Sequence, residues 1–268
     1  MSVTLNANIP FSPDISNLLH SFFAASLAEQ NNAWNKIHLS NFAAEMFNPN
    51  TKFNIMKTKI YNLIILDESG SMQSIKTAAL NSVNESLQSI RHAQMKYEEQ
   101  EHYVTFVTFN DEVKTLFDCV SIDMINDLTP RDYTPDCCTA LYDAMGMSLG
   151  KLRRTVAKDD KVLVTIVTDG YENASREYSA KAIKKLVEKL KSQGWVFAYM
   201  GANLEVEAVG ASLAISNTLS FAATDEGTRK MSKKMCVGRS RLFDSIAFCC
   251  FDSSAANESF FKEEDEQE

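Results

Sequence analysis

The stretch that decides the fold runs from Ile60 to Met72 and reads IYNLIILDESGSM. Ile60–Leu66 is short and almost continuously apolar, as expected of a strand buried on both faces. It gives way abruptly to Asp67-Glu68-Ser69-Gly70-Ser71. Beyond that turn, Ile75, Ala79, Val83, Leu87 and Ile90 recur every three to four residues, the period of an amphipathic helix.

The same alternation continues outward. Strands are expected at Tyr103–Phe109, at Val113–Val120 after the Asn110-Asp111 turn, at Val162–Thr168, Trp195–Met200 and Thr218–Phe221. Helices are expected at Ala140–Leu152, Ala180–Lys191, Val206–Leu213 and Gly227–Ala247, the last weakened in its middle by Gly238. Thr129–Asp136, with Pro130 and Pro135, reads as a loop. Strands alternating with helices imply an α/β domain with a doubly wound, mostly parallel sheet flanked by helices on both faces. Such sheets place their sites at the carboxyl ends of the strands.

Charge density divides the chain near Met56. Residues 1–55 carry only Asp14, Glu29, Lys36, Glu45 and Lys52 as charges. There, Ser12-Pro13 is a helix-start pair, and Ile15, Leu18, Leu19, Phe22, Phe23 and Leu27 follow helical spacing. The expected organisation is a helical extension over 1–55, the α/β domain over 56–250, and an acidic, solvated tail over 251–268. A variant starting at Met56 is expected to fold without the extension.

Composition excludes several classes. The chain has 268 residues with 45% hydrophobic and 23% charged, enough to bury a sizeable core. A net charge of −8 disfavours a general nucleic-acid binder, which must neutralise phosphates. No apolar run approaches the roughly 20 residues needed to cross a bilayer. Asn17–Ala28 lacks a preceding basic residue and contains His20, unlike a secretory signal. The expected location is therefore cytoplasmic, with Cys119, Cys137, Cys138, Cys236, Cys249 and Cys250 as reduced thiols. None of them forms a C-x-x-C pair.

Two loops should open on one edge of the sheet: the turn after Leu66, and Asp169-Gly170 after Thr168. Between them, Thr139 stands at the entry of a helix. The gathered groups are two carboxylates, Asp67 and Asp169, and three hydroxyls, Ser69, Ser71 and Thr139. An all-oxygen set of this kind suits a hard divalent ion, Mg²⁺ first and Mn²⁺ second. Glu68 is expected to face solvent. Tyr171, Glu172 and Asn173 are expected on the rim, facing a partner. Arg229, Lys230, Lys233, Lys234, Arg239 and Arg241 are expected on a wet helix face. His92 and His102 have no evident nucleophile beside them.

The segments IYNLIILDESGSM, TALYDAMG and VTIVTDGYEN, in this order, resemble the von Willebrand factor A family and its metal-ion-dependent adhesion site. The resemblance covers about Met56 to Arg241. GWVFAYMGAN and NTLSFAATDEGT are similar to the stand-alone bacterial and phage members. The family pattern falls on Asp67, Ser69, Ser71, Thr139 and Asp169. It implies a Rossmann-like fold and a protein-binding module. Ser69, Ser71 and Thr139 would bind the ion directly, Asp67 and Asp169 partly through waters, and a partner's Asp or Glu would complete the shell. It also suggests a final helix that shifts with ligand state. Cys137-Cys138 departs from the family, where Gly or Asn often precedes the Thr. The competing expectation is a Mg²⁺-dependent hydrolase or phosphoesterase. Against it, Ser69 stands where an Asp-nucleophile enzyme wants a second Asp. A nucleotide-binding domain ranks last, because neither G-x-G-x-x-G nor a P-loop occurs.

Overall fold

Six strands line up in the order β3-β2-β1-β4-β5-β6. They are β1 (Thr58–Asp67), β2 (Gln100–Phe109), β3 (Val113–Ser121), β4 (Lys161–Thr168), β5 (Val196–Ala202) and β6 (Thr218–Phe221). All neighbours pair in parallel except β2 and β3, which form an antiparallel hairpin at one edge. The computed structural model describes residues 57–202 and 205–262. Contacts divide the chain into Met1–Met56 and Lys57–Glu268, and only the second unit is described. The helix expected after Ser12-Pro13 lies outside the described residues, as do the acidic residues 263–268.

Helices α1 (Lys76–Lys96), α2 (Leu141–Leu152), α3 (Ala180–Lys191), α4 (Val206–Ser212), α5 (Asp225–Ala247) and α6 (Ser253–Ser259) cover the sheet. β1 lies at the centre, and Leu63 and Ile65 face one core while Ile64 and Leu66 face the other. That split is the two-residue period of a strand, and it explains why the run is apolar at both parities. The core of Ile64 and Leu66 is closed by α1, α5 and α6, and that of Leu63 and Ile65 by α2, α3 and α4. Ile75, Ala79, Val83, Leu87 and Ile90 are all buried, as their spacing requires.

Two expectations need correction. Residues 251–262 are not a solvated tail. Ser253–Ser259 forms α6, capped by Asp252 accepting the Ser254 N–H at 2.8 Å, and Phe260 is buried in the core. The signal was there: Phe251, Phe260 and Phe261 are apolar anchors too few to show a period. Gly238 now has a reason as well, since a Cβ there would lie 2.5 Å from the Phe260 carbonyl oxygen. Asn257 ties α6 to β5, accepting the Phe197 N–H at 3.0 Å and donating to the Trp195 carbonyl at 2.8 Å. Asn217 accepts the Phe260 N–H at 3.0 Å and donates to the Ala256 carbonyl at 2.8 Å.

The second correction concerns Arg239. It is fully buried between α1 and α5, on the stripe of Met231, Met235, Leu242 and Ile246. Its Nη1 donates to Ser89 Oγ at 3.0 Å and, at longer range, to the Ser86 carbonyl. Nε and Nη2 have no hydrogen-bond partner. Its charge suggested solvent, yet it lies four residues after Met235 and three before Leu242, on the buried face of α5.

Candidate metal site

Asp67 ends β1 and is fully buried. Its Oδ1 accepts the Ser69 N–H at 2.7 Å, which bends the chain into the 3₁₀ turn Gly70–Ile75. Its Oδ2 accepts a hydrogen bond from Thr168 Oγ1 at 2.5 Å. The register explains that contact: Leu66 pairs with Val167, so Asp67 and Thr168 leave the sheet side by side. The Ser69 and Ser71 hydroxyls lie 3.1 Å apart, and Ser71 donates to Asp169 Oδ1 at 2.5 Å. The turn after β1 and the loop after β4 are thereby closed on each other.

Thr139 arrives from the segment just before α2. Asn173 grips it twice: the Asn173 Oδ1 accepts the Thr139 N–H at 2.9 Å, and the Asn173 N–H donates to the Thr139 carbonyl at 3.0 Å. The next residue, Ala140, donates its N–H to the Asn110 carbonyl at 2.7 Å. Gly170 shows how tightly the parts meet. A Cβ added there would lie 2.9 Å from Thr139 Oγ1, 3.6 Å from Asp67 Oδ2 and 3.6 Å from Ser71 Oγ. All five residues expected at the site are brought together, and three of their oxygens surround one point that only a glycine leaves open.

Burial raises the Asp67 carboxyl to about 6, against the lowering pull of hydrogen bonds from Thr168 and Ser69, and the Asp169 charge raises it further. Burial also raises Asp169, while the Ser71 hydrogen bond opposes it. Two desolvated carboxylates facing the same hydroxyls are a costly arrangement on their own. A divalent cation would invert that local logic. Among the described residues no cluster of three or more His, Cys, Asp or Glu is placed to hold a metal. This site draws its remaining donors from hydroxyls, and the donor set is oxygen throughout. Those donors fit Mg²⁺, which keeps several waters and needs few carboxylates.

Other expectations change. Glu68 does not face solvent: it is buried, and its carboxylate accepts the Thr134 N–H at 2.5 Å. Of the three residues expected on the rim, Tyr171, at 58%, and Asn173 are exposed, whereas Glu172 is half-buried. Glu172 turns inward, accepting the N–H groups of Ala174, Ser175 and Tyr142. Asn173 holds Thr139. Asp143 on α2 accepts the N–H groups of Arg176, Glu177 and Tyr178, fastening the same loop from the other side. His102 is buried against Phe243, far from any nucleophile in its own surroundings of Gln100 and Arg239.

Three supporting residues were not anticipated. Thr168 orients Asp67, Tyr133 donates its hydroxyl to the Asp67 carbonyl at 2.6 Å, and Asn173 clamps Thr139. Thr168 had a legible signal, because a hydroxyl at the very end of a buried strand must find a local partner. Tyr133 had none, lying in a proline-flanked loop 66 residues away from Asp67.

The model of the von Willebrand factor type A domain matches residues 63–234, more than half of the chain. No match to a curated protein was found. Among solved structures, the D319A mutant of the PilB minor pilin from Streptococcus sanguinis is 14% identical, with a TM-score of 0.52. That match covers 76% of this chain and 65% of the pilin. A von Willebrand factor type A protein from Catenulispora acidiphila is 13% identical, with a TM-score of 0.47, over 68% of this chain and 43% of that one. The ArnB paralog VWA2 from Sulfolobus acidocaldarius is 16% identical, with a TM-score of 0.45, over 67% and 44%. The chain thus spans under half the length of the latter two proteins. At such identities the likeness concerns the fold alone. No helix among the described residues is long and apolar enough to cross a membrane.

Proposed function

The chain belongs to the von Willebrand factor type A family, and from that premise we propose that it is a metal-dependent protein-binding module. The observation that carries this reading is the convergence of Thr139 Oγ1, Asp67 Oδ2 and Ser71 Oγ on the point left open by Gly170. Ser69, Ser71 and Thr139 would hold Mg²⁺ or Mn²⁺ directly. Asp67 suits an orienting role, because both its oxygens already accept hydrogen bonds within the protein. Asp169, tied to Ser71, would share that role. A bound ion would supply a Lewis-acidic, positively charged point that a further oxygen ligand could reach. Two Asp leave the loaded site near neutrality, so a partner's Asp or Glu is attracted. Exposed Tyr171 on the rim provides an apolar contact beside that carboxylate. The free thiols agree with a reducing, cytoplasmic setting.

Calorimetric titration with Mg²⁺ tests the metal. Asp67→Ala and Thr139→Ala should each abolish the binding heat while circular dichroism stays unchanged, because Asp67 is the last residue of β1 and Thr139 lies on a loop, both at the sheet's edge. Unchanged affinity in both would sink the assignment. Capture of a partner should then be lost in chelator and restored by Mg²⁺ or Mn²⁺. The competing phosphoesterase reading predicts hydrolysis of generic phosphoesters that requires Mg²⁺ and disappears in Asp67→Ala.

A further inference from the structure

We propose that Cys137 and Cys138 form a reversible oxidation site, a vicinal dithiol that a hydroperoxide converts into an intramolecular disulfide. Both residues are exposed and adjacent in the chain. Cys137 has a φ of 65°, in the left-handed region that a non-glycine residue rarely occupies. The backbone around the pair is fixed on both sides. Asp136 donates its N–H to the Glu68 carbonyl at 2.9 Å, and Gly70 donates its N–H to the Cys137 carbonyl at 3.1 Å. On the far side, Asn173 and Asn110 hold Thr139 and Ala140. The backbone that carries the two adjacent thiols is therefore fixed at the surface.

The step balances with the hydroperoxide as the two-electron oxidant. One thiol attacks the hydroperoxide, the O–O bond breaks, and sulfenic acid and an alcohol (or water) form. The second thiol then attacks the sulfenic sulfur, an S–S bond forms, and water leaves. Two electrons pass from the sulfurs to the peroxide. The product is strained: consecutive Cα atoms lie about 3.8 Å apart across a trans peptide, below the roughly 4.4–6.8 Å usual for disulfides. Strained, exposed bridges are the easily reduced kind, so the site fits reversible chemistry rather than structural bracing.

The molecule contains its own control. Cys249 and Cys250 are also adjacent and exposed, and Cys249 has a φ of 55°. Their N–H groups, however, close the end of α5 on the carbonyls of Ile246 and Ser245, at 3.2 and 2.9 Å. A bridge there would break the helix end.

The test uses the reduced full chain without metal, so it does not depend on the metal reading. Hydrogen peroxide is titrated in, remaining thiols are alkylated, and peptides are mapped by mass. The expected result is loss of both alkylation sites at Cys137 and Cys138, with a peptide lighter by two hydrogens. Dithiothreitol should restore both sites. Cys138→Ser should give no lighter peptide and leave Cys137 to proceed to sulfinic acid. The proposal is overturned if both thiols remain alkylatable at peroxide doses that oxidise Cys249 or Cys250. It is equally overturned if they reach sulfinic acid in the unmodified protein without ever bridging.

Discussion

At the carboxyl edge of the sheet, Asp67 is buried with both oxygens accepting hydrogen bonds, whereas between α1 and α5, Arg239 is buried with two of its three nitrogens unpaired. The edge sets its charge beside the Thr139 and Ser71 hydroxyls, near the one point that Gly170 leaves open. The seam surrounds its charge with Ser86, Ser89 and apolar side chains, and the nearby Glu85 takes its hydrogen bond from Ser232 instead. Burial pushes the Arg239 guanidinium below its usual pKa, and burial together with the Arg239 charge pushes His102 down to about 4. The difference teaches how to separate two kinds of buried charge. One is arranged so that an external ion would relieve it. The other is enclosed, and contributes to which helices pack together rather than to binding.

The largest expected effect would break the edge. Gly170→Ala places a methyl group 2.9 Å from Thr139 Oγ1, displacing a candidate ligand while leaving the strands untouched. Calorimetry should show no Mg²⁺ binding, with an unchanged melting curve. Retained binding would mean that the ion sits elsewhere.

The next effect belongs to the seam. His102 is neutral when folded, with a pKa of about 4 against 6.5 when free. Its contribution is full above pH 6.5 and is lost as pH falls through 4. At 1.36 kcal/mol per unit, acidification across that window should cost about 3 kcal/mol. His102→Gln should flatten this part of the pH dependence in urea unfolding, and an unaltered slope would remove His102 from the account.

Smaller changes sharpen the edge. Asn173→Ala and Thr168→Val remove supports and not candidate ligands, so Mg²⁺ affinity should fall by roughly 10–100-fold rather than vanish. A loss as complete as that of Thr139→Ala would show that they do more than orient. Back in the seam, Arg239→Met replaces a poorly paired charge with an apolar chain of similar length. Stability should stay within about 1 kcal/mol or rise, since isosteric replacement of buried charge is often neutral or stabilising. A marked loss in thermal unfolding would show that the guanidinium is needed. Last, a chain starting at Met56 should melt as the full chain does; a large drop would place the Ile15–Leu27 stripe in the core.

The fold was legible because β1 and α1 each announce a period: apolar at both parities in Ile60–Leu66, then every three to four residues from Ile75. The five oxygen donors were legible because they sit at strand ends and a helix entry, places a sequence pattern can mark. Of their supports, only Thr168 carried a local signal. Asn173 acts through two hydrogen bonds and Tyr133 through one, across long chain separations, and no local pattern records such contacts. Glu68 and Arg239 misled for a common reason: a charge suggests water, and only the three-dimensional neighbours reveal that Glu68 is paired inside and that Arg239 is enclosed with a single nitrogen paired. α6 escaped notice because seven residues carry too few turns to establish a period.

The packing of Phe260 on Gly238 has a mechanical consequence. A helix advances 5.4 Å per turn, so sliding α5 by one turn would bring Lys234 or Leu242 to the place of Gly238. Either side chain would collide with a carbonyl and a ring that already exclude a single methyl group. Arg241 Nη2, donating to the same Phe260 carbonyl at 3.0 Å, adds a second fastening at this level. Phe260 is itself moored through Asn217, and α6 through Asn257 to the backbone of β5. The C-terminal half of α5 is therefore a strut bolted to the sheet. Any axial travel of this helix must first unfasten α6, and the force path for doing so runs through two asparagine side chains.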